Sequence, residues 1–227
     1  MQSATLSHQA FLTKLKDTIG QIYQKWDSLE KNSGYPINYQ GLTEKSEPLL
    51  SRFQHLAGRN VLDIGCNSGL YSYVAGYYAN SVIGCDLEQL LIDRARVSRE
   101  FFADFYDTKK VEFHCGNFID KMTSEIDAIV AACVLYHIGD ENLIKLMGFV
   151  MVKKPMIILQ IRPARAAAFS QNSAWGTVSN TTLFGGMFRI DDNLEFLRAC
   201  KYDNVVIAGL NSTSYYGETF PVLIAFD

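Results

Sequence analysis

The sequence predicts an α/β protein built on a mostly parallel sheet of seven strands, with helices on both faces. Three observations carry that expectation. From Asn60 onward, strand-like apolar runs alternate with helical patterns, as strand–helix–strand units require. The stretch Val61–Asp86, VLDIGCNSGLYSYVAGYYANSVIGCD, passes from strand to glycine loop to helix to strand and ends on an acid. Near the end, the runs Asn204–Leu210 and Phe220–Phe226 follow one another with no room for a helix, so the last strand should run antiparallel.

Taken in order, Phe11, Leu12, Leu15, Ile19, Ile22, Tyr23, Trp26 and Leu29 recur at helical spacing, with Lys14, Lys16, Asp17, Gln21 and Lys25 on the other side. One amphipathic helix fits, closed by Asn32-Ser33-Gly34, either packed on the core or lying over a site. A second helix is expected over Glu47–Leu56, stopped by Gly58. Residues 1–57 thus read as an N-terminal helical cap on a domain spanning 58–227. Strands are predicted at Asn60–Ile64, Ser81–Asp86, Val111–Cys115, Ala128–Val134 and Met156–Ile161. Helices are predicted at Gly69–Tyr78, Leu87–Phe105, around Ile119–Thr123, at Glu141–Met151 and at Asp191–Cys200. The stretch 162–190 is long for a connection and mixes aromatics with small polar residues, which suits a cover over a bound molecule, with Gly185-Gly186 as a hinge.

The 227 residues suffice for a substantial core, and 48% hydrophobic with 20% charged residues is the balance of a globular protein. A net charge of −3 gives no overall basic field for phosphate backbones, which disfavours a nucleic-acid partner without excluding one. The five cysteines form no CxxC pair and are odd in number, pointing to a reducing compartment and away from disulfides or zinc. No signal-like N-terminus and no bilayer-length apolar run is present, so the expected location is cytoplasmic, with no membrane partner. No motif reads as a metal site. Oligomeric state is open.

Gly65-Cys66-Asn67-Ser68-Gly69 follows Val61–Ile64 directly and precedes a helix. Glycines there allow sharp turning and close backbone approach to a ligand. Asp86 ends the next strand, where a carboxylate can accept both hydrogen bonds of a ribose diol. The unit therefore suits an adenosine-containing cofactor. The spacing is GxxxG rather than GxGxxG, and Asp63 sits just before the loop. An acid there repels a pyrophosphate and favours a cationic ligand, which selects S-adenosylmethionine over a dinucleotide.

Asp63-Ile-Gly65-Cys-Asn67-Ser-Gly69 resembles the first motif of class I, Rossmann-like S-adenosylmethionine-dependent methyltransferases, usually D/E-x-G-x-G-x-G. Asp86 matches their ribose-binding acid, Gly116-Asn117-Phe118 their adenine-holding segment, and Asp127–His137, with Cys133 inside it, their fourth motif. The resemblance spans about Asn60–Asp227 and implies a seven-stranded sheet with a reversed last strand. It implies cofactor contacts at Asp63, Gly65, Asn67, Gly69, Asp86, Asn117, Phe118 and Cys133. Two positions depart from the pattern: Asn67 replaces a glycine, and asparagine tolerates a left-handed backbone; Asn117 replaces the usual aspartate, and its amide oxygen can still accept a bond.

Methyl transfer needs nucleophile and methyl held together, water excluded and, for a hydroxyl acceptor, a proton removed. His137 follows the fourth strand at its C-terminal end, where such sites lie in open parallel sheets. It is the candidate general base; the alternative is a histidine that shapes the pocket or bonds a cap. Tyr136 suits packing or pocket lining. Arg162 and Arg165, in QIRPAR, either clamp a carboxylate or phosphate of the acceptor, or are solvated or pair with Asp191 and Asp192. Trp175, Phe184 and Trp26 either wall an apolar pocket or form a satellite core. Of the tyrosines after the glycine loop, Tyr71 is expected near the cofactor pocket and Tyr73 in packing.

Three functions follow from these residues. The first is S-adenosylmethionine-dependent methylation of a small-molecule acceptor, more readily at oxygen than nitrogen. The second comes from CVLYH and NYQGLTEKSEPLLSRF, which are similar to the branch that modifies the tRNA wobble uridine by methyl or carboxymethyl transfer. The third is a non-catalytic module that binds the cofactor and acts through a partner.

Overall fold

The computed structural model describes residue 10, residues 13–14, 46–161, 181–187, 189–208 and 220–227. The predicted helix Phe11–Leu29 lies outside these except at Thr13 and Lys14, which are helical. Lys14 places its Nζ 4.5 Å from the centroid of the Phe105 ring.

Seven strands form one sheet: β1 (Asn60–Ile64), β2 (Ser81–Asp86), β3 (Val111–Cys115), β4 (Ala128–Ala132), β5 (Met156–Gln160), β6 (Asn204–Ala208) and β7 (Val222–Phe226). Their order is β3-β2-β1-β4-β5-β7-β6. The pairs from β3 through β5 are parallel, and β7 runs antiparallel to both β5 and β6. The predicted fold class is therefore the observed one.

Alternate residues along the strands divide the core into two layers. Val61, Val82, Val111, Val130, Ile158, Val222 and Ile224 pack in one cluster with Leu49, Phe53, Leu56, Tyr73, Val74 and Phe102. These come from residues 46–56, helix α1 (Leu70–Tyr78) and helix α3 (Arg99–Phe102). Leu62, Ile64, Ile129, Ala131, Ile157, Leu159 and Leu223 pack in the other with Leu143, Leu146, Val150, Phe196 and Leu197. Those belong to α4 (Asp140–Lys153) and α5 (Ile190–Ala199). Helix α2 (Gln89–Val97) lies against β2 and β3. Each fully buried leucine or phenylalanine contributes about 1.5–3 kcal/mol, so a sheet covered on both faces is the arrangement these apolar runs require.

Several predicted boundaries shift by one or two residues, and three elements end, divide or change type. The strand expected over Ala128–Val134 ends at Ala132, because Cys133 takes φ +56° and turns the chain out of the sheet. The helix expected over Leu87–Phe105 divides at Ser98, whose Oγ donates to the Arg94 carbonyl at 2.9 Å and competes with the helical ladder. The helix expected over Glu47–Leu56 is α-helical only at 46–50, then passes through a turn into a 3₁₀ helix at Phe53–Leu56.

Candidate functional site

β1 delivers Asp63 and then the glycine loop. Gly65 has φ +66°, and a Cβ there would fall 2.4 Å from Cγ2 of Val134, so the exit of β4 closes on the loop where only glycine fits. Asn67 adopts φ +50°, the left-handed backbone its sequence position demands. Its Oδ1 accepts from the Ser68 N–H at 2.7 Å, so the side chain folds over its own turn. Gly69, at φ +81°, opens α1. The loop is fixed from beneath by the Cys66 N–H, which donates to the Cys85 carbonyl at 2.9 Å.

Two acids meet this loop. Asp63 is 1% exposed and accepts from the Ser72 hydroxyl at 2.5 Å, so α1 reaches back to the strand that precedes it. Burial pushes its carboxyl up to about 7, against the pull of the Ser72 hydrogen bond and with a push from Asp86. Asp86 ends β2 and holds one backbone N–H on each oxygen: Asn67 on Oδ2 at 2.9 Å and Glu88 on Oδ1 at 3.1 Å. Each oxygen retains a second lone-pair direction, so the carboxylate is oriented and still able to accept two hydroxyls.

At the end of β3 the chain turns through Gly116, whose N–H donates to the Asp86 carbonyl at 2.8 Å. Asn117 then caps the 3₁₀ helix Phe118–Lys121, its Oδ1 accepting from the Ile119 N–H at 3.1 Å. Its Nδ2 donates to Oδ1 of Asn142 at 3.1 Å. The Asn142 Nδ2 in turn donates to the Ile138 carbonyl at 2.8 Å. Phe118 is buried with Ile64 and Ile129.

Past β4, the left-handed Cys133 leads into a 3₁₀ turn at Leu135–His137. The Cys133 N–H donates to the Gln160 carbonyl at 2.8 Å, and its Sγ lies 3.7 Å from the Gln160 Oε1. Tyr136 is 3% exposed and belongs to the core layer, with its ring centroid 4.0 Å from that of His137. His137 is half-buried. The later stretch 181–187 is stitched to this turn. Thr181 Oγ1 donates to the Leu135 carbonyl at 3.0 Å and accepts from the Gly139 N–H at 2.9 Å. Asp140 accepts from the Thr182 and Leu183 N–H groups at 2.6 and 2.9 Å and from the Thr182 hydroxyl. These bonds hold its carboxyl below the usual range. Phe184, Gly185, Gly186 and Met187 are all left-handed, so the double glycine forms part of a reversed turn.

The structure thus brings Asp63, Gly65, Asn67, Gly69 and Asp86 to one loop, with Asn117 and the Cys133–His137 turn at neighbouring strand ends. Arg162, Arg165, Trp175 and Trp26 lie outside the described residues. Asp192, offered by the sequence as a partner for those arginines, pairs with Arg189 at 2.8 Å. Tyr73 packs, stacked on Phe102 with centroids 4.5 Å apart. Tyr71 bonds Ser46 at 2.9 Å and meets the edge of Phe53. Sequence reasoning missed Ser72, Asn142, Thr181 and Asp140. Ser72 alone carried a signal, as a polar residue between buried positions of α1; the others are tied to partners 4 to 46 residues away. Among the described residues, no group of three or more His, Cys, Asp or Glu side chains is placed to hold a metal ion, and no helix is long and apolar enough to cross a membrane.

Comparison with known proteins adds the following. A family model described as a methyltransferase domain matches residues 55–193. A tRNA U34 carboxymethyltransferase from Alteromonas mediterranea is 34% identical over 88 residues, which cover 37% of this chain and 26% of that protein. The match therefore spans about a quarter of the relative's length. Among solved structures, magnesium protoporphyrin IX methyltransferase from Synechocystis PCC 6803 with bound SAM aligns with a TM-score of 0.59 at 14% identity, covering 99% of each chain. An O-methyltransferase from Bacillus cereus in complex with SAH aligns with a TM-score of 0.58 at 14% identity, covering 93% of this chain and 91% of that one. At these identities the likeness is one of fold.

Proposed function

Since the chain belongs to the methyltransferase domain family, we propose that it transfers a methyl group from S-adenosylmethionine to a hydroxyl of a small-molecule acceptor. One observation carries the reading. The Asp86 carboxylate is locked by two backbone N–H groups beside a glycine loop that has a second, buried acid beneath it. That pair of acceptors fits a ribose diol joined to a cationic group, and is hostile to a pyrophosphate.

The cofactor supplies an activated methyl on a sulfonium, so the remaining tasks fall to the protein. Asp86 takes the ribose hydroxyls. Gly65, Asn67 and Gly69 let the backbone pass close to the ligand, and Asp63 supplies negative charge under the loop. Asn117 and Phe118 bound the adenine side, and Cys133 lines the exit of β4. His137 accepts the proton of the acceptor hydroxyl, its ring backed by Tyr136. Arg162 and Trp175 are proposed acceptor contacts on chemical grounds.

The test is calorimetric titration with S-adenosylmethionine, S-adenosylhomocysteine and NAD. The first two should bind, with affinity falling at least tenfold in Asp86→Ala. Binding of NAD alone would overturn the reading.

A second reading is favoured by the relative from Alteromonas mediterranea: methyl or carboxymethyl transfer to the wobble uridine of tRNA. The net charge of −3 weighs against it. It predicts tRNA binding that weakens steeply with salt, and tRNA that fails to bind at low salt would dismiss it.

A further inference from the structure

We infer that Asn142 is a positioning residue that couples the Asn117 loop to the turn bearing His137, and that this coupling is why position 117 holds an amide. The inference rests on the cofactor reading above for what occupies the two ends.

Polarity fixes both amides. The run starts at a group that can only donate, the Ile119 N–H, and ends at one that can only accept, the Ile138 carbonyl. The Ile119 N–H therefore orients the Asn117 oxygen toward itself and leaves the Asn117 nitrogen facing Asn142. The Ile138 carbonyl likewise claims the Asn142 nitrogen and leaves its oxygen facing Asn117. The two side chains meet donor to acceptor at 3.1 Å, and neither can flip without opposing like groups. An aspartate at 117 would present an acceptor to the Asn142 oxygen. Should Asn142 turn to satisfy it, its oxygen would then face the Ile138 carbonyl. Either way one link breaks.

Placement gives the run its consequence. Ile138 directly follows the Leu135–His137 turn, and Asn117 directly follows the Gly116 turn that hangs on the Asp86 carbonyl. Thr181 holds the same turn from the other side, through Leu135 and Gly139. Ordering at the adenine end is thereby passed through two rigid amides to the backbone that aims His137, with no atom shared between the two ends.

Asn142→Asp separates this role from a merely structural one. With Gly139 as N-cap, position 142 is the third residue of α4, where a carboxylate is favoured by the unpaired N–H groups and the helix dipole. The variant keeps the acceptor toward Asn117 and sets an acceptor against the Ile138 carbonyl, so that link alone opens. Its Tm should be little changed, since the gain at the helix start offsets the lost bond to Ile138, while the coupling is lost. The measurement is amide hydrogen exchange on the full chain, with and without S-adenosylhomocysteine. In the wild type the ligand should raise protection both at 65–69 and at 135–139; in Asn142→Asp the rise at 65–69 should remain and the rise at 135–139 should vanish. Asn117→Asp, which interrupts the run one link earlier, should give the same loss. A full rise at 135–139 in either variant overturns the inference, as does wild-type binding with no rise there. Failure of the wild type to bind the ligand at all, read separately by calorimetry, overturns the cofactor reading and this inference with it.

Discussion

At Asp63 a carboxyl group has exchanged water for one strong partner, the Ser72 hydroxyl at 2.5 Å. Its titration near 7 instead of 3.8 follows from burial first. Between those two values the native state holds a proton that the unfolded chain has shed. The group's contribution to stability is therefore full below pH 4 and is lost as pH rises to about 7. Asp63→Asn removes this titration, so its Tm should gain on the wild type across that window, as thermal melts at pH 4, 5.5 and 7.5 would reveal. A bound cation favours the ionised form. Cofactor affinity should therefore climb as pH rises through 7, with proton release visible by calorimetry in buffers of different ionisation enthalpy, and Asp63→Asn should abolish both. His137→Ala should lower turnover about 10²–10⁴-fold and leave S-adenosylmethionine affinity nearly unchanged. Equal turnover with any hydroxylated acceptor would remove the residue from the chemistry.

Helix α1 is packed closely at its start. A Cβ on Gly69 would meet Phe113 Cζ at 2.7 Å and Ala95 Cβ at 2.8 Å, on top of a left-handed φ of +81°. Gly69→Ala should cost about 1–3 kcal/mol from strain and overpacking, read as a Tm lower by ~2–4 °C per kcal/mol. The same packing explains what the sequence could disclose. β1, β2 and β3 were legible to the residue, because apolar runs there end against glycines or acids that cannot continue a covered strand. The end of β4 was not, since Cys133 and Val134 look like strand and only the turn toward Gly65 bends them away. Ser98 hid the break between α2 and α3 because its competing hydrogen bond to Arg94 is a matter of rotamer rather than pattern. The loop acids Asp63 and Asp86 announced themselves by spacing. The pairing of Asn117 with Asn142, or of Asp140 with Thr182, links residues whose nearness exists only once the sheet is assembled.

The molecule as a whole is a sheet whose last strand in sequence is not its last in space. β7 lies between β5 and β6, bonded to both, and it supplies Val222, Leu223, Ile224 and Ala225 to both core layers. Deleting Val222–Phe226 should therefore remove two strands, leaving β6 unpaired and Ile157, Leu159, Phe196 and Leu197 partly uncovered. The expected outcome is a broadened, non-cooperative melt and binding of a hydrophobic dye, whereas an equally sharp transition would contradict it. This arrangement also sets an order of events during synthesis. As the chain emerges from the ribosome, β1 to β5 can pair as they appear, since every partner is already present. β6 emerges and must wait, an apolar strand with no neighbour to bond, until Val222–Phe226 arrives to close the gap. Over that interval the nascent chain exposes Val205 and Ala208, which pack on the core once β7 is in place, together with the edge of β5, so the time β7 takes to reach its slot governs how long the chain is open to strand exchange with another copy.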